Sequence, residues 1–308
     1  VPHDRLTFVI PPDDDALSSA AIYNRGMVGA LRAAGFPVDV ATQPQAGSRQ
    51  VIDAVTLEKN LPVASDTTIL VHHLPQHPGT HAAWHSAARI VTTNRLIADQ
   101  LIETCGVEPS RLVIIPPGID DFSRSVGTGG TGCAILSVGA LSERTAHGVL
   151  LRALARLPDL EWSLVIVGSI TADATHAGVI GELVDTLGIS HRVHIRATAD
   201  AATLENLWRE TDVFALASRA ADYPMQAAIA LRRGIPAVVS NGGAAADLVP
   251  PEAGAVCPAG EDIAFSKALR RLIFDRDLRR MLADGAFAAG SELPAWSKQA
   301  ACFVEVLP

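Results

Sequence analysis

The sequence predicts an α/β protein of two domains, each a mainly parallel sheet flanked by helices. Three observations carry this. From Glu210 to Val249 the order is apolar run, polar loop, helix, apolar run, glycine-rich loop, which is a βαβ unit. The same plan opens the chain, with strands at Leu6–Ile10 and Val38–Val40 and helical periodicity over Ala20–Ala34 between them. Between the two halves lies Ser125–Gly132, SVGTGGTG, a small and flexible run that reads as a linker. The expected boundaries are 1–124 for the first domain, 125–132 for the linker, 133–290 for the second domain and 291–308 for a final helix.

The elements follow in order. A helix is expected over Val51–Lys59 and strands at Thr68–Val71, Ala87–Thr92 and Leu112–Ile115, with a helix at Arg95–Thr104 stopped by Gly106. Cys133–Gly139 opens the second sheet, followed by a helix at Val149–Leu157 and strands at Trp162–Val167 and Val193–Ile195. Leu204, Leu207 and Trp208 mark another helix. Asp212–Ala217 is almost purely apolar, as a strand buried on both faces should be. Pro224 can open the next helix because its missing N–H is not needed in the first turn, and Gly234 stops it before the strand Ile235–Ser240. Asp262 caps a helix through Ile273, Leu278–Phe287 supplies another, and Trp296–Val306 is the last.

Bulk properties exclude several classes. The chain has 308 residues, 48% hydrophobic and 19% charged, which is a globular composition long enough for two cores. A formal net charge of -8 offers no electrostatic footprint for nucleic acid. No apolar run is long enough for a transmembrane span, and the start VPHDRLTFVI reads as a core strand, not a basic cleavable signal. Cys105, Cys133, Cys257 and Cys302 have no CxxC spacing and read as buried free thiols, so a cytoplasmic location is expected.

In a parallel sheet, ligands sit outside the carboxyl ends of the strands, where helix N-termini and glycine amides suit a phosphate. Gly139, Gly168, Gly242 and Gly243 all fall at such ends. Thr211-Asp212-Val213-Phe214, Ser218, Gly234, Pro236, Val238-Val239 and Gly242-Gly243 together resemble the donor half of family 4 glycosyltransferases. Tyr23-Asn24-Arg25 and Pro116-Pro117-Gly118-Ile119-Asp120 resemble segments of the first domain of that family. The resemblance implies the GT-B fold: two Rossmann-like domains facing each other across a cleft, with the C-terminal helix crossing back to the first. It implies a nucleotide-diphosphate sugar as co-substrate, an unknown acceptor, and neither cofactor nor metal.

The resemblance also assigns candidates. Arg144, in Val138-Gly139-Ala140-Leu141-Ser142-Glu143-Arg144-Thr145, stands in the loop where the family keeps a basic pair that stabilises the departing diphosphate. It is either that clamp or a solvated loop cation. His72 follows an N-domain strand, as a group beside the transferred sugar or as a structural hydrogen-bonder. Donor contacts are expected from Gly139, Gly168, Thr198, Ser218, Asp222, Tyr223, Met225, Gly242 and Gly243. Ser18, Ser19, Tyr23, Asn24 and Arg25 are expected on the acceptor side, with Ser18-Ser19-Ala20 where the family usually has glycines.

The chain departs from the family pattern at three donor positions. Ala221 and Ile229 stand where the family has glutamates that hold the sugar and the ribose, and Thr145 stands at the lysine of the basic pair. Asp13-Asp14-Asp15 reads as a solvated loop, since one-loop carboxylates seldom complete a hard-metal shell. His81 and His85 have i, i+4 spacing, yet no cysteine or carboxylate nearby completes a metal set, and Pro78-Gly79 breaks any helix through His77. Three readings remain: a retaining glycosyltransferase, a non-catalytic binding protein on the same scaffold, and an enzyme using a different donor.

Overall fold

The computed structural model describes residues 5–12, 15–45, 49–57, 63–74, 81–130, 132–171 and 173–308. Asp13, Asp14, His77 and Pro78-Gly79 lie outside the described residues. The chain divides into two compact units. The first comprises residues up to Asp120, the short segment Ala221–Tyr223, and Pro294–Pro308; the second comprises Asp121–Ala220 and Pro224–Leu293.

The first unit holds a six-stranded parallel sheet in the order β2-β1-β3-β4-β5-β6. The strands are β1 (Leu6–Val9), β2 (Val38–Ala41), β3 (Arg49–Asp53), β4 (Thr68–Val71), β5 (Arg89–Thr92) and β6 (Leu112–Ile114). Helix α1 (Ser19–Ala33) joins β1 to β2, α2 (His81–Ser86) precedes β5, and α3 (Arg95–Cys105) joins β5 to β6. Side chains alternate across the sheet, so neighbours in sequence enter different cores. Leu70 and Val91 pack with Phe8, Tyr23 and Leu31 on one face, while Ile69, Val71 and Ile90 pack with Trp84 and Leu101 on the other. Helix α10 (Trp296–Val306) completes the first face: Phe303 meets the Phe8 ring at 5.7 Å, and Trp296 meets Tyr23 edge-on at 5.9 Å. The return of the last helix to the first domain, implied by the family resemblance, is therefore a structural fact.

The second unit repeats the plan in the order β12-β11-β10-β7-β8-β9. Its strands are β7 (Cys133–Val138), β8 (Trp162–Val167), β9 (Val193–Arg196), β10 (Val213–Leu216), β11 (Ala237–Ser240) and β12 (Gly254–Cys257). The helices are α4 (His147–Ala155), α5 (Ala174–Thr186), α6 (Ala201–Glu210), α7 (Met225–Arg232), α8 (Asp262–Phe274) and α9 (Arg276–Ser291). Its core joins Ile135, Leu164, Val213 and Val238 of the sheet to Leu150, Leu154, Phe265 and Leu269 of α4 and α8. Arg233, at the end of α7, is buried with its guanidinium paired to Glu205 at 2.8 and 2.5 Å and stacked 4.2 Å over Phe122.

The structure corrects the sequence reading in four places. No helix spans Val51–Leu57: Val51-Ile52-Asp53 is the end of β3, held between β1 and β4, and Ala54–Thr56 forms a single turn, while Glu58 and Lys59 of the expected helix lie outside the described residues. A run of two β-branched residues pairs more readily than it coils. Helix α5 was not expected, because Gly178 and Gly181 thin its pattern and only Ile180 and Val184 are buried. Strand β12 was not expected, being a four-residue edge strand that opens on glycine. Glu261, not Asp262, occupies the cap position of α8; Asp262 is the first helical residue and pairs with Arg156 at 2.8 Å.

Two glycines give opposing expectations. A Cβ on Gly168 would stand 1.9 Å from the Gly139 carbonyl oxygen, with backbone that cannot yield. Gly168→Ala should destabilise the protein by about 3 kcal/mol. Gly178 lies inside α5 with open space around it, so Gly178→Ala should stabilise by about 0.5–1 kcal/mol. Urea midpoints of the two variants check both signs.

Candidate functional site

In the second sheet β7 lies between β10 and β8, so the order of connection reverses there. At such a switch point the loops after the two central strands diverge and leave room for a ligand. The loop after β7 runs from Gly139 to Ala146, and the loop after β10 from Ala217 to Pro224. They are tied together: the Arg144 carbonyl accepts the Arg219 amide at 2.8 Å and the Ser218 hydroxyl at 3.3 Å. The Ser218 oxygen in turn accepts the Ala220 amide at 3.0 Å.

The glycines at this edge answer to chain packing. A Cβ on Gly243 would stand 1.8 Å from the Ala220 carbonyl oxygen, and one on Gly242 would stand 2.8 Å from Ala259 Cβ. The structure thus gathers Gly139, Gly168, Ser218, Gly242 and Gly243 at the carboxyl ends of four neighbouring strands. Arg144 is exposed on its loop, and Thr198 is exposed after β9. Thr145, at the lysine position of the family, turns into its own loop: its hydroxyl donates to the Ala140 and Ser142 carbonyls and accepts the Ser142 amide at 3.3 Å. Met225 is the buried first residue of α7. Ile229, on the same helix, is half-buried.

In the first sheet the switch falls between β1 and β3. Ser18 caps α1 by accepting the Ala21 amide at 3.1 Å, Ser19 begins the helix, and Arg25 is exposed with its guanidinium on the Ala16 carbonyl at 2.6 Å. Tyr23 and Asn24 are buried. The Tyr23 hydroxyl donates to the Ile115 carbonyl at 3.2 Å, and burial pushes its pKa above the ordinary range. Asn24 Nδ2 donates to Asp53 Oδ2 at 2.9 Å, and Asn24 Oδ1 lies 3.1 Å from His72 Nε2, itself 3.6 Å from Asp53.

This network sets the state of His72, which directly follows β4 and is 3% exposed. Asn24 Oδ1 can only accept, so the bonding pattern assigns the proton to Nε2 and leaves Nδ1 as an acceptor. Desolvation lowers the His72 pKa; the charges of Asp53 and Asp222 oppose this without reversing it. Neutral His72 is therefore the form at neutral pH. Asp222 and Tyr223 belong to the first unit with His72, and burial pushes the Tyr223 hydroxyl up to about 12. The backbone around them is held by Asn94, whose Nδ2 donates to the Ala221 carbonyl at 2.8 Å. Asp53 escaped the sequence reading because it was placed inside a helix. The signal that would have found it is a carboxylate directly after the β-prone Val51-Ile52.

No group of three or more His, Cys, Asp or Glu suited to a metal occurs among the described residues, and no helix there is long and apolar enough to cross a membrane. His81 and His85 both lie in α2. The four cysteines are free; Cys133 and Cys257 are buried, while Cys105 and Cys302 are only half-buried, short of the full burial expected for them.

Two doubly wound parallel sheets with a returning C-terminal helix define a GT-B scaffold. The family described as glycosyl transferases group 1 matches residues 119–288, more than half of the chain, and the protein belongs to that family. The D-inositol 3-phosphate glycosyltransferase of Xylanimonas cellulosilytica is 27% identical over 234 residues, covering 70% of this chain and 56% of that protein. The chain spans about half the length of the curated relatives it matches. Among solved structures, sucrose-phosphate synthase from Thermosynechococcus elongatus superposes with a TM-score of 0.82 at 16% identity, over 98% of each chain. Anabaena HepE, in complex with UDP and glucose, superposes with a TM-score of 0.79 at 16% identity over 99% of each chain. At these identities the two structures establish the shared fold.

A second buried imidazole yields a pH expectation. His147 begins α4 behind the β7 loop, and neither ring nitrogen has a hydrogen-bond partner among the described residues. Burial lowers its pKa from 6.5 to about 4, with the His176 charge adding to the effect. The unfolded chain therefore binds this proton first. The stability contributed by the neutral ring is complete above pH 6.5 and is lost as pH falls towards 4. The loss is on the order of 3 kcal/mol. His147→Leu should flatten the fall in Tm between pH 7 and pH 4.5, which thermal melts of both proteins will measure.

Proposed function

We propose that the chain is the transferase body of a retaining, metal-independent glycosyltransferase that uses a nucleotide-diphosphate sugar. The observation that carries this reading is the carboxyl edge of the second sheet, where two loops bonded to each other at the Arg144 carbonyl flank the switch point. The diphosphate is held there by loop amides and by the Arg144 guanidinium. As the glycosidic bond to the diphosphate breaks, charge grows on the departing oxygen, and a fixed guanidinium stabilises that charge more than it stabilises the bound donor. In the first unit, His72 Nδ1 accepts from a substrate hydroxyl, with Asp222 adding negative charge beside the ring. The acceptor is held by the first unit. The solved HepE structures with UDP and glucose, and with UDP-glucose, support the nucleotide class.

The substituted positions set the expected strength. Ala221 and Ile229 accept no hydrogen bond from a sugar or ribose hydroxyl through their side chains. Each lost charge-assisted bond weakens binding by about 1.5–3 kcal/mol, or roughly tenfold or more. The donor is accordingly bound weakly, mainly through phosphates and base. One observation favours a second reading, a non-catalytic binding protein: Thr145 is consumed inside its own loop, so the basic pair is reduced to one side chain.

Calorimetry and turnover separate the two. For a transferase, nucleotide-sugar hydrolysis or transfer is measurable, Arg144→Ala and Asp222→Ala each lower kcat at least about tenfold, and treatment with EDTA leaves the rate unchanged. For a binding protein both substitutions are silent, and the sugar nucleotide binds no better than the bare diphosphate. Tight sugar-nucleotide binding that survives Arg144→Ala would remove the assignment of the phosphates to this loop.

A further inference from the structure

The second unit contains a cavity unrelated to the edge just described. It lies at the opposite end of β10, beside Asp212, with the four residues of that strand between it and the Ser218 loop. One wall is the backbone of residues 125–130, and the other is the first turns of α9 with Arg276, Arg279 and Arg280. Three arginines therefore line one cavity in a chain whose formal net charge is -8.

The charges do not cancel within the cavity. Its carboxylate, Asp212, is already engaged: Oδ2 accepts the Ala134 amide at 2.8 Å and the Thr128 hydroxyl at 2.9 Å, and Oδ1 lies 3.9 Å from Arg279 Nε. Arg279 is a fixed element, with Nη1 donating to the Leu272 and Ile273 carbonyls at 2.6 and 3.1 Å. Arg276 spends one nitrogen on the Gly130 carbonyl at 2.5 Å, which pins the opposite wall but neutralises nothing. Arg280 pairs with Asp277 at 3.0 Å, both exposed, an arrangement that binds weakly and exchanges with solvent. Asp275 already takes the Leu278 amide at the start of α9, so the attraction for an anion rests on the guanidinium groups.

The wall facing them is shaped by glycine. Gly127 and Gly129 both have positive φ, and a Cβ on Gly127 would stand 2.4 Å from Asp212 Oδ1. The cavity volume, about 260 Å³, lies below the roughly 300 Å³ at which pockets for drug-sized ligands begin. It suits an ion of a few heavy atoms. Planar guanidinium forks select tetrahedral oxyanions over halides.

From this arrangement we infer that the cavity between residues 125–130 and α9 is a binding site for a small phosphate-type oxyanion, held by Arg276 and Arg280 with Arg279 behind them. The site is separate from donor binding and does not depend on the proposed transferase activity. An ion there bridges α9 to the 125–130 segment and stiffens both.

The test uses the full chain carrying Arg144→Ala, so that the loop after β7 has lost its guanidinium, and inorganic pyrophosphate, compared with sodium chloride at equal ionic strength. Pyrophosphate should raise Tm above the chloride control and give a saturable heat of binding. Arg276→Gln with Arg280→Gln, both at exposed positions, should weaken that binding at least tenfold. Sedimentation with phosphatidylcholine vesicles, with and without phosphatidic acid, distinguishes a lipid phosphate from a free ion. Retention by phosphatidic acid that is lost in the double variant assigns the lipid source; pyrophosphate binding without retention assigns the free ion. The site is overturned if, in this Arg144→Ala background, neither probe acts beyond the chloride control, or if the response survives the added Arg276→Gln and Arg280→Gln.

Discussion

The second sheet works only because backbone touches backbone at its ends. Gly168 lies against the Gly139 carbonyl, Gly243 against the Ala220 carbonyl and Gly254 against the Ala237 carbonyl, each at a distance where a Cβ would stand less than 2 Å from oxygen. A parallel sheet sends every connecting segment over its edge, and these segments compete for space. Removing a side chain where two of them cross lets the loops after β7, β8, β10 and β11 share one rim. The Ser218 and Arg144 contacts exist because that crowding holds the loops within hydrogen-bond reach.

The first unit solves a different problem. Its sheet carries a carboxylate, Asp53, at 1% exposure, which is costly unless the charge is bonded on all sides. The Val55 amide at 3.1 Å and the Asn24 side-chain amide at 2.9 Å supply such bonds, and the His72 ring lies 3.6 Å away. The elements that meet there, α1, β3 and β4, are far apart in sequence. The polar cluster therefore specifies their register as well as the protonation of the imidazole, and the Tyr23 ring, edge-on to His72 at 5.1 Å, closes one side.

Most of the architecture was legible because buried parallel strands are written as unbroken apolar runs. Thr68–Val71, Trp162–Val167 and the last helix, Trp296–Val306, stand as read. What failed depended on partners distant in sequence. Val51-Ile52-Asp53 is a strand because β1 and β4 lie on either side of it; the only local sign is the pair of β-branched residues. The candidate site was legible as residue types and strand ends, not as directions. Tyr23 and Asn24 carry polar groups that suit a ligand, yet they face inward and satisfy Ile115 and Asp53. Glycines that suit a phosphate prove to be required by chain crossing, whatever else approaches them. Thr145 looked like a lost lysine; its hydroxyl also rebuilds the loop from inside.

The first unit is not a continuous stretch of chain. Its core takes Phe303 from the far end, and the Ala221–Tyr223 segment joins it from between β10 and α7. During synthesis the six strands from β1 to β6 emerge early but lack that helix for nearly two hundred residues. Phe8 and its neighbours stay open to water, or to a chaperone, until α10 leaves the ribosome. The second unit, complete by Leu293, has no such wait. The order of assembly thus runs against the order of the sequence: the half made first is the half finished last.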